Sequence, residues 1–276
     1  MKLICVVDDA APSGSPFRGE HGLALLIETE GGRVLFDIGQ SGAVLLHNLA
    51  LLDVDPATID AVAISHAHYD HTGGLPELLG YLRPGTPFYA NPDLFRERLS
   101  RRQGKLQNAG LLMTQAELAG RVRLALSPRP QEILPGLWTT GEITARPEPE
   151  GRSDYHRMRQ GGALVADAYR DDMALVLRTG DQLVLLCGCC HAGLLNTLAH
   201  VQGTFKGPIA VLAGGLHLIS ATDDDLRHTG EVLGAMPSLQ RIYPSHCTGE
   251  AAIAALIQAL GPSVVKPCPA GSVLEF

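Results

Sequence analysis

Short apolar runs recur along the chain, each closed by a turn rich in glycine, proline or small polar residues. Met1 to Val7 reads as a strand entering a polar turn at Asp8-Asp9. Residues 23–28 and 33–37 read as a hairpin around Glu30-Gly31-Gly32, followed by a helix over 43–51. Strands are predicted at 61–64, 87–90, 122–126 and 137–140, with a helical run over 75–82. A second hairpin is predicted from 173–178 and 182–186 around Thr179-Gly180-Asp181. After it the same unit repeats: strand, tight turn, helix. The helices are predicted at 194–201, 223–236 and 250–260, behind strands ending near 186, 213 and 244, and residues 273–275 can close a sheet.

Hairpins and strand-helix units in each half predict an α/β protein of two β-sheets packed face to face, with helices on the outer faces. The expected organisation is a single domain over 1–276. Residues 91–121 form a lid or insertion, polar and helix-leaning, in which Arg96, Arg98, Arg101, Arg102 and Lys105 cluster. That charge run reads as a solvated helix face, with a basic lid over an anionic substrate as the sharper alternative. Residues 141–162, dense in Pro, Gly, Glu and Arg, read as a long loop, functional or mobile. His156 within it reads as solvated, and His47, His200 and His228 as surface residues.

Composition narrows the class. The chain has 276 residues, 45% hydrophobic and 18% charged, enough to bury a large core and too apolar for disorder. A net charge of -7 argues against nucleic acid as a general partner. No apolar run reaches membrane-spanning length and the N-terminus lacks the pattern of a signal peptide, so a cytoplasmic protein with no membrane partner is expected. The six cysteines, Cys5, Cys187, Cys189, Cys190, Cys247 and Cys268, match neither a disulfide framework nor a Cys-x-x-Cys zinc module.

The chemistry concentrates in Ser65-His66-Ala67-His68-Tyr69-Asp70-His71-Thr72-Gly73-Gly74, directly after a buried strand. Three imidazoles and a carboxylate there suit zinc, and also iron or manganese. Four ligands so close together crowd one tetrahedral ion, which points to two adjacent ions, His66 and His68 on one and Asp70 and His71 on the other. Later strands repeat the arrangement, placing His191, His217 and His246 at their C-terminal ends. Asp37, ending a strand near the same rim, reads either as a turn residue or as a group orienting a metal-bound histidine.

The motif His-x-His-x-Asp-His at 66–71 resembles the signature of the metallo-β-lactamase-fold hydrolases. Glu20-His21-Gly22-Leu23, Gly188-Cys189-Cys190-His191-Ala192-Gly193, Gly214-Gly215-Leu216-His217 and His246-Cys247-Thr248-Gly249 resemble one subgroup, whose named member is a pterin-condensing synthase of the methanopterin pathway. The resemblance covers nearly the whole chain. It implies an αββα sandwich and a two-metal site: His66, His68 and His191 at one ion, Asp70, His71 and His246 at the other. Many members bridge the ions with an aspartate after the strand equivalent to 182–186, and this chain has Gly188-Cys189 there. Either Cys189 takes that place, or a nearby thiolate or water bridges, or the second ion is held more weakly. The plainer account makes Cys187, Cys189 and Cys190 buried small residues of a tight turn.

The resulting expectation is a binuclear hydrolase using a metal-bound hydroxide on a small, phosphate-containing or otherwise anionic molecule. Zinc is the first choice of cofactor, and Asp70 and His217 are the catalytic residues. His217 would hydrogen-bond substrate or a developing oxyanion, unless it is simply a satisfied rim histidine. The alternatives are a pterin-condensing synthase, a thioesterase- or lactonase-like hydrolase and, last, a non-catalytic metal-binding module. The small-molecule substrate is the expected partner, with a homodimer compatible with the same reading.

Overall fold

The computed structural model describes residues 1–276, the side chain of Arg102 excepted. A seven-stranded sheet runs, in spatial order, Val273–Glu275, Lys2–Val7, Ala24–Thr29, Gly32–Phe36, Ala61–Ala63, Pro87–Ala90 and Arg123–Leu126. A six-stranded sheet runs Arg241–Ser245, Ile209–Gly215, Gln182–Cys187, Leu175–Thr179, Leu137–Thr139 and Glu132–Leu134. The two predicted hairpins lie one in each sheet, paired antiparallel.

The strand period of two explains the layering. Leu3 and Cys5 point into the space between the sheets, with Leu25, Ile27, Leu186 and Ala213. Ile4 and Val6, on the other face of the same strand, pack under the helix Gly42–Leu51 with Leu45 and Leu49. The second sheet turns Leu185 and Leu212 outward against Leu198 and Leu256 of the helices Leu194–Thr204 and Glu250–Leu260. Helix, sheet, sheet and helix therefore stack as four layers, the expected αββα sandwich. Each fully buried leucine adds roughly 1.5–3 kcal/mol by leaving water. Among the described residues, no helix is long and apolar enough to cross a membrane.

Residues 91–121 are not mainly helical. They hold a short 3-10 turn, the hairpin Arg98–Arg102 with Lys105–Asn108, and the helix Gln115–Ala119. The long segment 141–162 stays irregular only to residue 155, where the strand His156–Gln160 begins and pairs with both Arg98–Arg102 and Ala163–Ala166. These strands make a third, four-stranded sheet. Its two turns carry the hairpin signal in their backbones: Gln103-Gly104 and Gly161-Gly162 all have positive φ, the conformation of a type I′ turn.

The basic-lid alternative also changes. Arg98 is 1% exposed and meets Asp171 at 2.6 Å, Asp167 at 3.0 Å and Asp93 at 3.1 Å. Arg96 is tied to Asp93 at 2.8 Å. Arg101 and Lys105 are exposed, and the Arg102 side chain lies outside the described residues. Arg98 is therefore the buried cation that anchors the third sheet to the loop 167–172, since a charge removed from water must be paired.

Candidate metal centre

Parallel pairing brings the strand ends Phe36 and Ala63 to one rim, and Cys187, Gly215 and Ser245 to the facing one. The loops leaving these ends carry the candidate ligands. Ser65 to His68 leave the strand Ala61–Ala63, and the one-turn helix Tyr69–Thr72 then presents Asp70 and His71. Thr72 Oγ1 donates to His68 O at 3.0 Å and locks the turn. Among the described residues, seven non-glycine residues have positive φ, and Asp37, Tyr169, Cys190, His217 and His246 of these lie at or beneath the rim. Backbone strain of this kind collects where side chains must be aimed.

His66, His68, Asp70, His71, His191 and His246 are all buried and meet here, with His217 half-buried beside them. In three of them, His71, His191 and His246, the far ring nitrogen is fixed by a group that can only accept, so that nitrogen must carry the proton. His71 Nδ1 donates to Asp37 Oδ2 at 2.7 Å, His191 Nδ1 to Gly151 O at 2.6 Å, and His246 Nδ1 to Asp9 Oδ1 at 2.6 Å. Ser65 Oγ gives its own proton to Asp37 Oδ2 at 2.7 Å and so accepts from His66 Nδ1 at 2.8 Å. In neutral rings, the Nε2 lone pairs of His66, His71, His191 and His246 are left facing inward.

These lone pairs converge. His71 Nε2 and His246 Nε2 lie 3.2 Å apart, and His66 Nε2 lies 3.0 Å from His68 Nδ1. Cys189 Sγ is 3.1 Å from His71 Nε2. The donor atoms of His66, Cys189 and His191 all lie within 4.8 Å of one another, and so do those of His71, Cys189 and His246. Ligand atoms of one tetrahedral zinc stand roughly 3.3–3.8 Å apart, the same scale. His191 Nε2 and His68 Nε2 are buried without a hydrogen-bond partner. Converging lone pairs and an orphaned buried nitrogen fit a bound divalent cation and fit poorly with a purely structural cluster.

The electrostatics agree. Burial, reinforced by neighbouring imidazoles, holds His66, His68 and His191 well below the usual histidine range, so they are neutral and able to bind metal. Burial opposes the charge of Asp70, yet His71 and His246 hold its carboxyl well below 3.8. Burial likewise opposes protonation of His246, but Cys247, Asp70 and Asp9 outweigh it and raise its pKa well above 6.5. In the metal-free chain a proton can thus stand on His246 Nε2, 3.3 Å from Asp70 Oδ2, where a cation would displace it.

Asp37 is fully buried and accepts from Ser65 N, Ser65 Oγ and His71, so it orients ligand candidates and is no mere turn residue. Three groups escaped the sequence reading. Asp9 braces His246 and accepts from His21 Nδ1 at 3.0 Å, and His21 Nε2 is 3.4 Å from Asp70 Oδ2. His156 does not stand apart in a loop: its ring is 4.4 Å from that of His68, and its Nδ1 is 3.0 Å from Tyr169 Oη. The available signals were the acidic pair at the end of a buried strand and the glycine-glycine turn that makes 156–160 a strand. Above these residues lies a cleft of about 380 Å³ lined by Asp70, Tyr155, His156, Cys189, His217 and His246, among others. A smaller hollow of about 110 Å³, with Arg152 in its wall, shares His217 with it.

The family model of the metallo-beta-lactamase superfamily matches residues 18–156. The chain is 29% identical over 265 residues to 7,8-dihydropterin-6-methyl-4-(beta-D-ribofuranosyl)-aminobenzene-5'-phosphate synthase of Methanocaldococcus jannaschii, covering 90% of this chain and 88% of that one. A crystal structure of a metal-dependent hydrolase of the beta-lactamase superfamily superposes with a TM-score of 0.84 at 28% identity, covering 100% of this chain and 99% of the other. A shorter likeness, 44% over 66 residues, links 23% of this chain to 15% of a ribonuclease of Thermus thermophilus.

Proposed function

The chain belongs to the metallo-beta-lactamase superfamily, and from that premise we propose that it is a binuclear metal-dependent hydrolase of a small, anionic substrate. The observation that carries this reading is the set of inward-facing Nε2 lone pairs on the floor of an open cleft. His66, His68 and His191 would hold one divalent ion, and Asp70, His71 and His246 the other. When bound, such ions lower the pKa of a water and polarise the bond to be cleaved, with zinc, iron and manganese all compatible with these donors.

The protein's own part is orientation. Asp37, through His71 and through Ser65 to His66, fixes two rings from one carboxylate. Asp9 and the Gly151 carbonyl do the same for His246 and His191. Asp70, as an anion, accepts a hydrogen bond from the nucleophile as well as facing the ion. His217 has Nδ1 buried without a partner and lines the cleft, which suits a donor to substrate or to developing negative charge. Arg96 and Arg98 are committed to buried or half-buried carboxylates, and Arg152, paired with the Glu150 carboxylate at 2.9 Å, is the arginine in the wall of the adjoining hollow that we assign to an anionic group at this end of the cleft. The third sheet and the segment 141–162, within a single domain of 1–276, act as the cover.

A second reading, a pterin-condensing synthase, is favoured by one observation: the likeness to the archaeal synthase runs over 90% of the chain. Assay of the metal-loaded protein with generic phosphodiesters separates the two. Turnover lost on chelation and restored by metal supports the hydrolase, and no turnover with any of them counts against it in favour of the synthase.

A further inference from the structure

Two adjacent carboxylates in the loop 167–172 reach the two loops that supply one histidine triad. Asp171 Oδ2 accepts at 2.8 Å from the amide of Ala67, the residue between His66 and His68. Asp172 Oδ2 accepts at 2.7 Å from the amide of Ala192, the residue after His191. Resting on the two-ion reading above, we propose that Asp171 and Asp172 are positioning residues that set His66, His68 and His191 as one unit for the first ion.

Both aspartates are buried. Burying a carboxylate costs more than one amide hydrogen bond returns, so amide capping alone is a poor account of two such groups side by side. The loop is also held from outside the site. Asp171 Oδ1 takes the Arg98 guanidinium at 2.6 Å, and Asn91 Nδ2 donates to Arg170 O at 3.0 Å. Arg146 donates to Ala168 O at 2.9 Å and to Tyr169 O at 2.8 Å. Tyr169, at φ 46, lays its ring on that of His191, with 4.3 Å between centres and 10° between planes. Met173 N, directly after the aspartate pair, donates to Ser65 O at 3.0 Å. A segment anchored in this way and bonded to both ligand loops fixes the distance between them, and that distance decides how well three donors share one ion.

The second triad is braced separately. Asp8 Oδ1 accepts from His246 N at 2.6 Å, Asp9 Oδ1 from His246 Nδ1 at 2.6 Å, and Asp37 Oδ2 from His71 Nδ1 at 2.7 Å. The action of Asp171 and Asp172 is therefore confined to the first ion. That selectivity separates positioning from general support of the fold.

Chelator-competition titration with zinc in single-ion backgrounds tests this, alongside metal analysis and circular dichroism. On the two-ion reading His246→Ala retains the first ion and His191→Ala the second. Asp172→Glu keeps the charge but displaces the acceptor by a methylene. Added to His246→Ala, it is expected to weaken zinc binding about 10–100-fold; added to His191→Ala, it leaves the affinity unchanged. Asp171→Glu repeats the pattern. Asp172→Asn keeps an acceptor oxygen at the same reach and is expected to hold the first ion as the parent does. Equal weakening in both backgrounds, no weakening in either, or Asp172→Asn no better than Asp172→Glu overturns the positioning role. Failure of these variants to fold also overturns it, because the pair is then a requirement of the fold and not of the site. Wild type that binds no zinc overturns the two-ion reading itself.

Discussion

Asp37 Oδ2 lies 2.7 Å from His71 Nδ1 in a pair with no solvent exposure on either side chain. The same oxygen takes the Ser65 hydroxyl proton at 2.7 Å, and Oδ1 takes the Ser65 amide at 2.7 Å. One carboxylate therefore sets the tautomer of His71 directly and of His66 through Ser65. Asp37→Asn keeps the volume but removes an acceptor. Metal affinity is expected to fall about 10–100-fold. Competition with a chelator of known affinity measures it, and unchanged affinity would mean that Asp37 only shapes the backbone.

His66 and His246 stand in different triads, on loops from opposite sheets. Wild type should carry about two metals per chain, and His66→Ala and His246→Ala should each lose about one. Elemental analysis of the purified proteins checks this. Full metal retention in both variants would sink the ligand assignment.

Arg98 is held by three carboxylates in a place without solvent. Arg98→Met removes the cation and strands Asp167 and Asp171, each about 1% exposed at the side chain. A loss of about 3–5 kcal/mol is expected from uncompensated buried charge. Denaturant unfolding measures it. A loss within that of an ordinary surface substitution would show the network to be solvated in solution.

Arg98 also shows why part of the fold was hidden in the sequence. Both main sheets are legible because apolar residues alternate or run together before a turn. In the strand Arg98–Arg102 the inward position holds a cation, and its partner Asp171 lies 73 residues further on, so local pattern reads as a charged helix face. The histidines at strand ends are legible because the residue type itself is the signal. Their orienting partners are less so: Gly151 acts through a backbone carbonyl, which no side-chain pattern records, and Asp9 sits in what reads as an ordinary polar turn.

His217 adopts φ 46 and its ring centre lies 4.3 Å from that of His191. It nevertheless groups with neither pair of ligand histidines. His217→Ala should leave metal content unchanged and lower kcat about 10²-fold on whichever substrate the loaded protein turns over, with less effect on KM. A matching loss of metal would instead make it a ligand, and unchanged kcat would make it a satisfied rim residue.

Gly188 carries the contact between the two halves of the site, because its Cα faces Ser65 with no room for a methyl group. A Cβ would also come within 2.9 Å of Asp37 Oδ2, the oxygen that orients His71. Gly188→Ala must push Ser65 away or move the strand end, and both displace groups that aim ligands. Overpacking is expected to cost about 1–3 kcal/mol of stability, with a fall in metal affinity alongside. Gly203→Ala is the control. It lies in the helix Leu194–Thr204 with open space where the Cβ would go. It should stabilise by up to about 1 kcal/mol and leave metal binding alone. Thermal unfolding and chelator competition on the two variants separate the outcomes. If Gly188→Ala lowers stability but leaves affinity at the wild-type value, Ser65 and Asp37 hold their geometry without the close approach, and the site does not depend on this contact between the sheets.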